Sequence, residues 1–477
     1  MDLHLSLDAT RGPLSRQIFE QVRDAIVDGR LRPGDRLPPT RRLAESIGVS
    51  RNTVGAAFDH LTGEGFLVGR AGVGTFVSPD ARFDPITDRT EGRSPVRPGP
   101  YWRDQPPAPV LAAEQPEYDF RTGIPDADRF PYPTWRRLLN GVLRPSRLAG
   151  GVYADPAGHP ALRRTLARHL AVSRGVRADA SRVVVTSGVQ QAAALTCQVL
   201  LEPGDVVAIE NPGYLPVRRA LEAAGATVVD VPVDEAGIVV DALPPRARLV
   251  YVSPTHQFPL GVPMSLPRRL ALLDWARRVD AAVLEDDYDS DFRYTGRPVD
   301  PLHTLDPSGR VLYVGSFSKT MLPVFRLGYC VVPSGLVQAF QRAKFVADWH
   351  SPIPDQLALA HFIDDGHLDR HIRGSRREYQ TRRDRIATAL DADFAPWLRR
   401  VPSVAGLHLA AWADDTDTAE VEEWVRRAEE HGVAVQSLAS FAGGSSVRPG
   451  LVIGFGAIPR SLIGAGLARL RGVLPAR

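Results

Sequence analysis

The sequence predicts an α/β chain in two parts. An N-terminal winged helix-turn-helix is followed by a mostly parallel sheet covered by helices, which ends in a smaller C-terminal α/β subdomain. Three observations carry this expectation. Helical apolar spacing in the first 78 residues gives way to a Gly-rich hairpin. A stretch rich in Pro and Arg, without apolar periodicity, follows over 79–117. From Tyr118 onward, short apolar runs alternate with helical patterns, as βα units do. The expected boundaries are 1–78 for the head, 79–117 for a linker, 118–370 for a large α/β domain and 371–477 for the C-terminal subdomain.

In the head, Leu14, Ile18, Val22 and Ile26 fall at helical spacing within Pro13–Val27. A turn at 31–37 leads to a second helix over Thr40–Ile47, with Thr40 as its expected cap. Gly48 and Val49 make a tight turn, and Ser50 is placed to cap a third helix running to Leu61. Residues 66–68 and 75–77 then flank a turn at 69–74, which completes a β-wing. The head is nearly neutral, with ten arginines against nine acids. Its charge is unevenly placed: six arginines lie between Arg30 and Arg51, against Asp35 and Glu45 alone. That basic stripe falls where a recognition helix would meet phosphates.

The linker, if polyproline-like at ~3.1 Å per residue, spans up to roughly 120 Å. Beyond it, strands are expected at 183–185, 206–209, 227–231, 249–252, 282–284 and 311–314, with helices entered at Val189 and Leu215. A chain of 477 residues needs two or three domains. Hydrophobic content of 44% and charged content of 24% are those of a soluble globular protein. No apolar run approaches ~18 residues, and the start MDLHLSLDAT lacks a basic n-region, so a cytoplasmic protein is expected. Cys197 and Cys330 lie in apolar surroundings without metal-ligand spacing, which predicts reduced buried thiols and no metal site.

The cations carry a stronger signal. Of 58 Lys+Arg residues only Lys319 and Lys344 are lysine. Where arginine supplies nearly all positive charge, a retained lysine points to chemistry arginine cannot do, namely losing a proton and forming an imine. Lys319 lies in GSFSKTMLPVFRLGY, between Ser316, Ser318 and Arg326, which are suited to hold a phosphate. That pattern fits lysine-bound pyridoxal 5′-phosphate (PLP). Four further features fit the same cofactor, each at a predicted strand end. TSGVQQAA opens a helix, so the N–H groups of Gly188, Val189 and Gln190 face outward for phosphate. VLEDDYDSDFRY offers Asp286 to hold the pyridine nitrogen protonated, with Asp287 as the competing choice, and Tyr288 for O3′. ENPGY places Tyr214 to stack on the ring; the alternative is a turn aromatic covering the core. SPTHQFPLG offers His256 and Gln257 as polar contacts, with a cap or turn role as the alternative.

The head, from PLSRQIF to GVGTFV, resembles the GntR-type winged helix over its whole length. That resemblance implies that Arg41, Ser50, Arg51, Asn52 and Thr53 approach DNA, with Gly72 at the wing tip. Gly55 stands where some relatives carry a further contacting arginine. From Tyr118 on, the chain resembles PLP-dependent fold-type I aminotransferases. Head and body together resemble the MocR/GabR family of transcriptional regulators. The resemblance implies a double-stranded DNA operator as partner and a head-to-tail, domain-swapped homodimer.

The chain departs from that family at the ligand carboxylate. A family arginine in a C-terminal strand corresponds to Val452, within LVIGF, and a second one of the GABA responders corresponds to Pro216. Arg218, Arg219 and Arg448 are near but out of register. Loss of a bidentate clamp costs ~1.5–3 kcal/mol for each charged hydrogen bond, which disfavours a simple amino-acid effector. The expected function is a PLP-binding regulator that senses PLP itself and controls vitamin B6 metabolism, with the aminotransferase-like body used for sensing rather than turnover. The alternatives are a regulator of an amine or amino-acid-like effector and a working aminotransferase with a DNA-binding head.

Overall fold

The computed structural model describes residues 5–8, 10, 12–81, 97–107, 116–296 and 299–475. The chain divides into two units, Met1–Pro107 and Ala108–Arg477.

In the first unit, helices α1 (Leu14–Val27), α2 (Thr40–Ile47) and α3 (Arg51–Gly63) precede strands β1 (Leu67–Arg70) and β2 (Gly74–Val77). The apolar stripe of α1 buries Ile18, Val22 and Ile26 against Val54, Phe58 and Leu61 of α3. Ser50 caps α3, its side chain accepting from the Thr53 N–H at 3.1 Å. Thr40, the expected cap of α2, is instead its first helical residue. Pro39 holds the cap position, because its extended backbone already sets the helix entry. Gly48 ends α2 at φ 71°, a conformation glycine adopts without strain. β1 and β2 form the antiparallel wing, with Gly72 at its tip. Arg70 lies over the Phe76 ring and donors on Arg36 reach the Val73 carbonyl, so two arginines brace the wing from below. Of the linker expected over 79–117, residues 82–96 and 108–115 lie outside the described residues, and Pro100–Arg103 form one helical turn.

The second unit opens with β3 (Tyr118–Asp119), then β4 (Val183–Thr186), β5 (Val206–Asn211), β6 (Thr227–Asp234), β7 (Gly237–Ile238), β8 (Ala247–Val252), β9 (Ala282–Asp287), β10 (Val311–Ser316) and β11 (Gly328–Val331). Strands β12 (Arg399–Arg400), β13 (His408–Trp412), β14 (Val433–Ala434), β15 (Gln436–Ser437) and β16 (Gly450–Gly454) follow. The large sheet runs β4-β11-β10-β9-β8-β5-β6-β7. Its inner strands are parallel, and β11 is antiparallel to both neighbours. Strands β4, β8 and β10 are buried almost throughout, so they read in sequence as continuous apolar runs.

Helices Val189–Leu200, Leu215–Ala223 and Val337–Asp348 supply the cluster built around Val207, Leu284 and Leu312; helix Leu266–Val279 packs on Val250 and Val283. A smaller sheet, β12-β13-β16-β15, shares a core with helices His367–Ala392, Thr418–Glu430 and Ile463–Gly472. Tyr118, expected to open the large domain, pairs through β3 with β14 and packs with Phe120 in this C-terminal core. A two-residue strand carries too little periodicity to reveal such a pairing. No described helix is long and apolar enough to cross a membrane.

Candidate functional site

The carboxyl ends of β4, β5, β8, β9 and β10 gather the residues singled out in the sequence, because parallel strands deliver their following loops to one edge of the sheet. Lys319 follows β10. Its Nζ donates to the Gly123 carbonyl at 2.7 Å. Burial pushes its pKa below the usual lysine value, against the pull of Asp289 and Asp286, which keeps the amine closer to its neutral, nucleophilic form. Gly123, at φ 78°, leaves the space: a Cβ there would lie 2.9 Å from Nζ.

Asp286 and Asp287 end β9 and have different surroundings. Asp287 accepts from Arg174 Nε at 3.2 Å and from the Tyr313 hydroxyl. Asp286 Oδ2 accepts from the Tyr251 hydroxyl at 2.5 Å, while its buried Oδ1 has no partner. Burial pushes the Asp286 carboxyl up to about 7, with Tyr251 and Lys319 opposing. A buried carboxylate with one orphaned oxygen is costly unless a cationic N–H meets it. Of the two neighbours, Asp286 therefore has a free acceptor and Asp287 is already held. Glu210, at the end of β5, is likewise pushed up to about 7 by burial; its Oε2 accepts from Ser253 and its Oε1 is orphaned.

Tyr288 places its hydroxyl 2.9 Å from His256 Nδ1. The same nitrogen lies 2.9 Å from Asp289 Oδ2, and Nε2 lies 3.1 Å from Ser403 Oγ. Both ring nitrogens of His256 are therefore engaged, and neither is left as a free contact. Gln257, the other candidate from that loop, is spent on the turn: Nε2 donates to the Pro212 and Phe258 carbonyls, and Oε1 accepts from the Leu260 N–H. Tyr214 is half-buried, with its ring edge-on to Phe258 at 5.8 Å. Burial pushes its hydroxyl up to about 12.

An anion cradle lies beside Lys319. Helix Val189–Leu200 starts without a side-chain cap, and the N–H groups of Val189 and Gln190 have no backbone partner among the described residues. Gly188 N–H sits 3.3 Å from Thr186 Oγ1, so that donor is partly engaged. The Arg326 guanidinium has no hydrogen-bond or ion-pair partner among the described residues and lies over Gly188, where a Cβ would stand 3.3 Å from Nη2. Ser316 and Ser318 bond each other at 2.9 Å on the same side. Helix terminus, guanidinium and hydroxyls together could hold a phosphate. The orphaned Asp286 oxygen, this cradle and the Lys319 amine fit PLP.

Three residues went unnoticed in the sequence: Tyr251, Gly123 and Arg174. Nothing in the run LVYVSP distinguishes the tyrosine that braces Asp286. The positions expected to matter for a ligand carboxylate are now specific. Val452, on β16, packs in an apolar cluster with Trp412, Phe441 and Phe258. Arg218 is paired with Asp230 and Glu222, and Arg448 with Asp414 over the Trp412 ring.

Residues 14–77 match the gntR family of bacterial regulatory proteins, and 136–450 match class I and II aminotransferases. The probable rhizopine catabolism regulatory protein MocR of Rhizobium meliloti is 36% identical over 470 residues, covering 96% of this chain and 93% of its own length. The pyridoxine biosynthesis transcriptional regulator PdxR of Corynebacterium glutamicum is 32% identical over 441 residues, covering 92% and 91%. Among solved structures, the kynurenine aminotransferase of Pyrococcus horikoshii in complex with PMP superposes with a TM-score of 0.69 at 29% identity, covering 75% of this chain and 91% of its own. With head and body both matched and relatives aligned end to end, the chain belongs to the MocR-type family of transcriptional regulators, in which a GntR helix-turn-helix head is joined to an aminotransferase-like domain.

Proposed function

We propose that this protein is a DNA-binding regulator whose aminotransferase-like domain holds PLP and reads PLP itself as its signal. The observation that carries the reading is the contrast between two parts of one site. Groups that could take the aldehyde, the phosphate, O3′ and the ring nitrogen are present, among them the orphaned Asp286 oxygen. The carboxylate clamp is absent: Val452 is packed among apolar side chains, and Arg218 and Arg448 are committed to acids. A desolvated amino-acid carboxylate would find no arginine in register.

PLP supplies an aldehyde that an amine can capture and a pyridinium that draws electrons. In the proposed site Lys319 Nζ is the capturing amine. Asp286 Oδ1 accepts from the pyridinium N–H and Tyr288 donates to O3′, with His256 and Asp289 holding the Tyr288 hydroxyl in place. Arg326, Ser316, Ser318 and the N–H groups of Val189 and Gln190 take the phosphate, and Tyr214 covers the ring. The same missing clamp argues for sensing over turnover, since transamination needs the amino acid held as well as captured. An amine effector lacking a carboxylate is the second reading, and Val452 favours it equally. Titration of the PLP-loaded chain with an amine panel distinguishes the two, because only that reading requires the visible band to shift.

In the head, Ser50, Arg51 and Asn52 are exposed at the start of α3, and Arg41 is exposed beside Glu45. We assign these residues, with Thr53 and Gly72, to the DNA surface. Gly55 lies on α3 with nothing within 4 Å of where its Cβ would stand. Gly55→Arg is expected to tighten operator binding and to steepen its salt dependence by about one phosphate contact, a slope change near 0.9. It should also stabilise α3 by up to ~1 kcal/mol through helix propensity. Operator affinity measured across a salt series checks both signs.

A further inference from the structure

Away from the cradle, helix His367–Ala392 and the segment after β9 enclose an open cavity of about 790 Å³. Arg174, Arg293, Arg373, Arg376 and Arg377 line it. Four aspartates share the lining, but the charges do not cancel. Asp287 and Asp291 both pair with Arg174, at 3.2 and 2.5 Å. Arg293, Arg373, Arg376 and Arg377 have no acid partner among the described residues.

Arg293 is the informative member. Its Nε and Nη1 are buried without a hydrogen-bond partner, and burial lowers its pKa with no carboxylate opposing. Ser290 Oγ, on the same wall, is also buried and unpartnered. Nine buried side-chain atoms lack partners among the described residues, and three belong to these two neighbours, which singles out this cavity. A structural arginine in this protein looks different. Arg269 is fully buried, and its guanidinium donates to the Met264, Asp300 and Pro254 carbonyls at 3.0, 3.1 and 2.7 Å. Orphaned guanidinium donors facing no acid are held ready for oxyanions from outside.

We propose that this cavity is a second ligand site, which binds a small phosphate-bearing anion through Arg293, Arg376 and their neighbours. Set against Asp300 and Asp369, the four guanidiniums without an acid partner leave a surplus of two positive charges, which suits a ligand of about two negative charges, and a concave wall with buried donors suits a small group better than a duplex. Occupancy would also reach the first site, because Arg174 and Asp287 line the cavity and Asp287 adjoins Asp286.

The test is calorimetric titration of the full PLP-loaded chain with inorganic pyrophosphate at constant ionic strength. One site per chain is expected, weakened at least about tenfold, or ~1.4 kcal/mol, by Arg293→Gln and by Arg376→Gln. Without ligand, Arg293→Gln should melt at the wild-type temperature or above it, since two buried donors without a partner are removed; a clear fall would mean the guanidinium is already satisfied and would overturn the proposal. Unchanged binding by both variants would overturn it as well. Binding lost only in Arg326→Gln would put pyrophosphate in the cradle, again against the proposal. If pyrophosphate failed to bind while Arg293→Gln weakened duplex DNA, the surface would belong to DNA instead. The proposal does not rest on PLP as signal: the same titration can be run on the PLP-free chain, with Arg326→Gln reporting anion taken by the cradle.

Discussion

Lys319→Ala protein is expected to show no visible PLP band and no PLP retained after borohydride reduction, whereas the wild-type chain shows both. In the proposed site the amine is the group that would capture the aldehyde. Among the described residues its one hydrogen bond is to the Gly123 carbonyl, so removing it leaves one backbone acceptor to water and leaves the fold intact. Stability should change by no more than about 1 kcal/mol, the net worth of such a bond. Lys319→Arg separates charge from chemistry. It keeps the cation near Asp286 and Asp289 yet cannot form the bond, so it should behave like alanine in the absorbance measurement. A visible band persisting in either variant would place the capture elsewhere, and Lys344 would be the residue to examine. That lysine is fully buried against Asp348 and Ser351, an arrangement that reads as structural.

The second large effect concerns Asp286→Asn, and it has opposite signs with and without PLP. In the PLP-free protein burial raises the Asp286 carboxyl from 3.8 to about 7. The folded state then binds its proton more tightly than the unfolded state does. Its contribution to stability is whole below about pH 4 and is lost as pH rises through about 7. At ~1.36 kcal/mol per pH unit, the loss reaches at most roughly 4 kcal/mol above that range. Asparagine has no charge to bury, and its carbonyl can still accept from Tyr251. PLP-free Asp286→Asn should therefore unfold at higher denaturant concentration than wild type at pH 8, with the difference vanishing near pH 4. PLP binding should move the other way. Losing a charged hydrogen bond to the pyridinium costs ~1.5–3 kcal/mol, or roughly ten- to a hundredfold in affinity. Denaturant curves at pH 4 and pH 8, alongside PLP titration, check both halves. A variant that bound PLP as tightly as wild type would move the nitrogen contact away from Asp286.

What was legible in the sequence follows from what acts locally. Ser50 caps α3 and Gly48 ends α2 because caps and left-handed turns depend on the few residues around them. The strand runs read correctly because both faces of the sheet are buried, and βα order brings Lys319, Asp286, Tyr288 and Gly188 to one edge whatever the details. The less legible part depended on partners distant in sequence. Asp286 and Asp287 are adjacent and chemically identical. What separates them is Arg174, some hundred residues earlier, and Tyr313 on the neighbouring strand. The loop that carries His256 is legible, but its partners are not: Asp289 lies thirty-three residues on, and Ser403 comes from the C-terminal subdomain. Arg293 is one arginine among many in the sequence, and only its missing partner distinguishes it.

Operator binding ties the head to the body. PLP-free and PLP-loaded protein should be titrated against the DNA upstream of the chain's own gene at one fixed salt concentration, with Lys319→Ala beside them. PLP as signal predicts that loading changes operator affinity by about tenfold or more, a coupling of ~1.4 kcal/mol, and that Lys319→Ala does not respond. Equal affinity and equal footprint with and without PLP, in a chain that carries the visible band, would contradict that claim and leave PLP as the reagent through which another ligand is sensed.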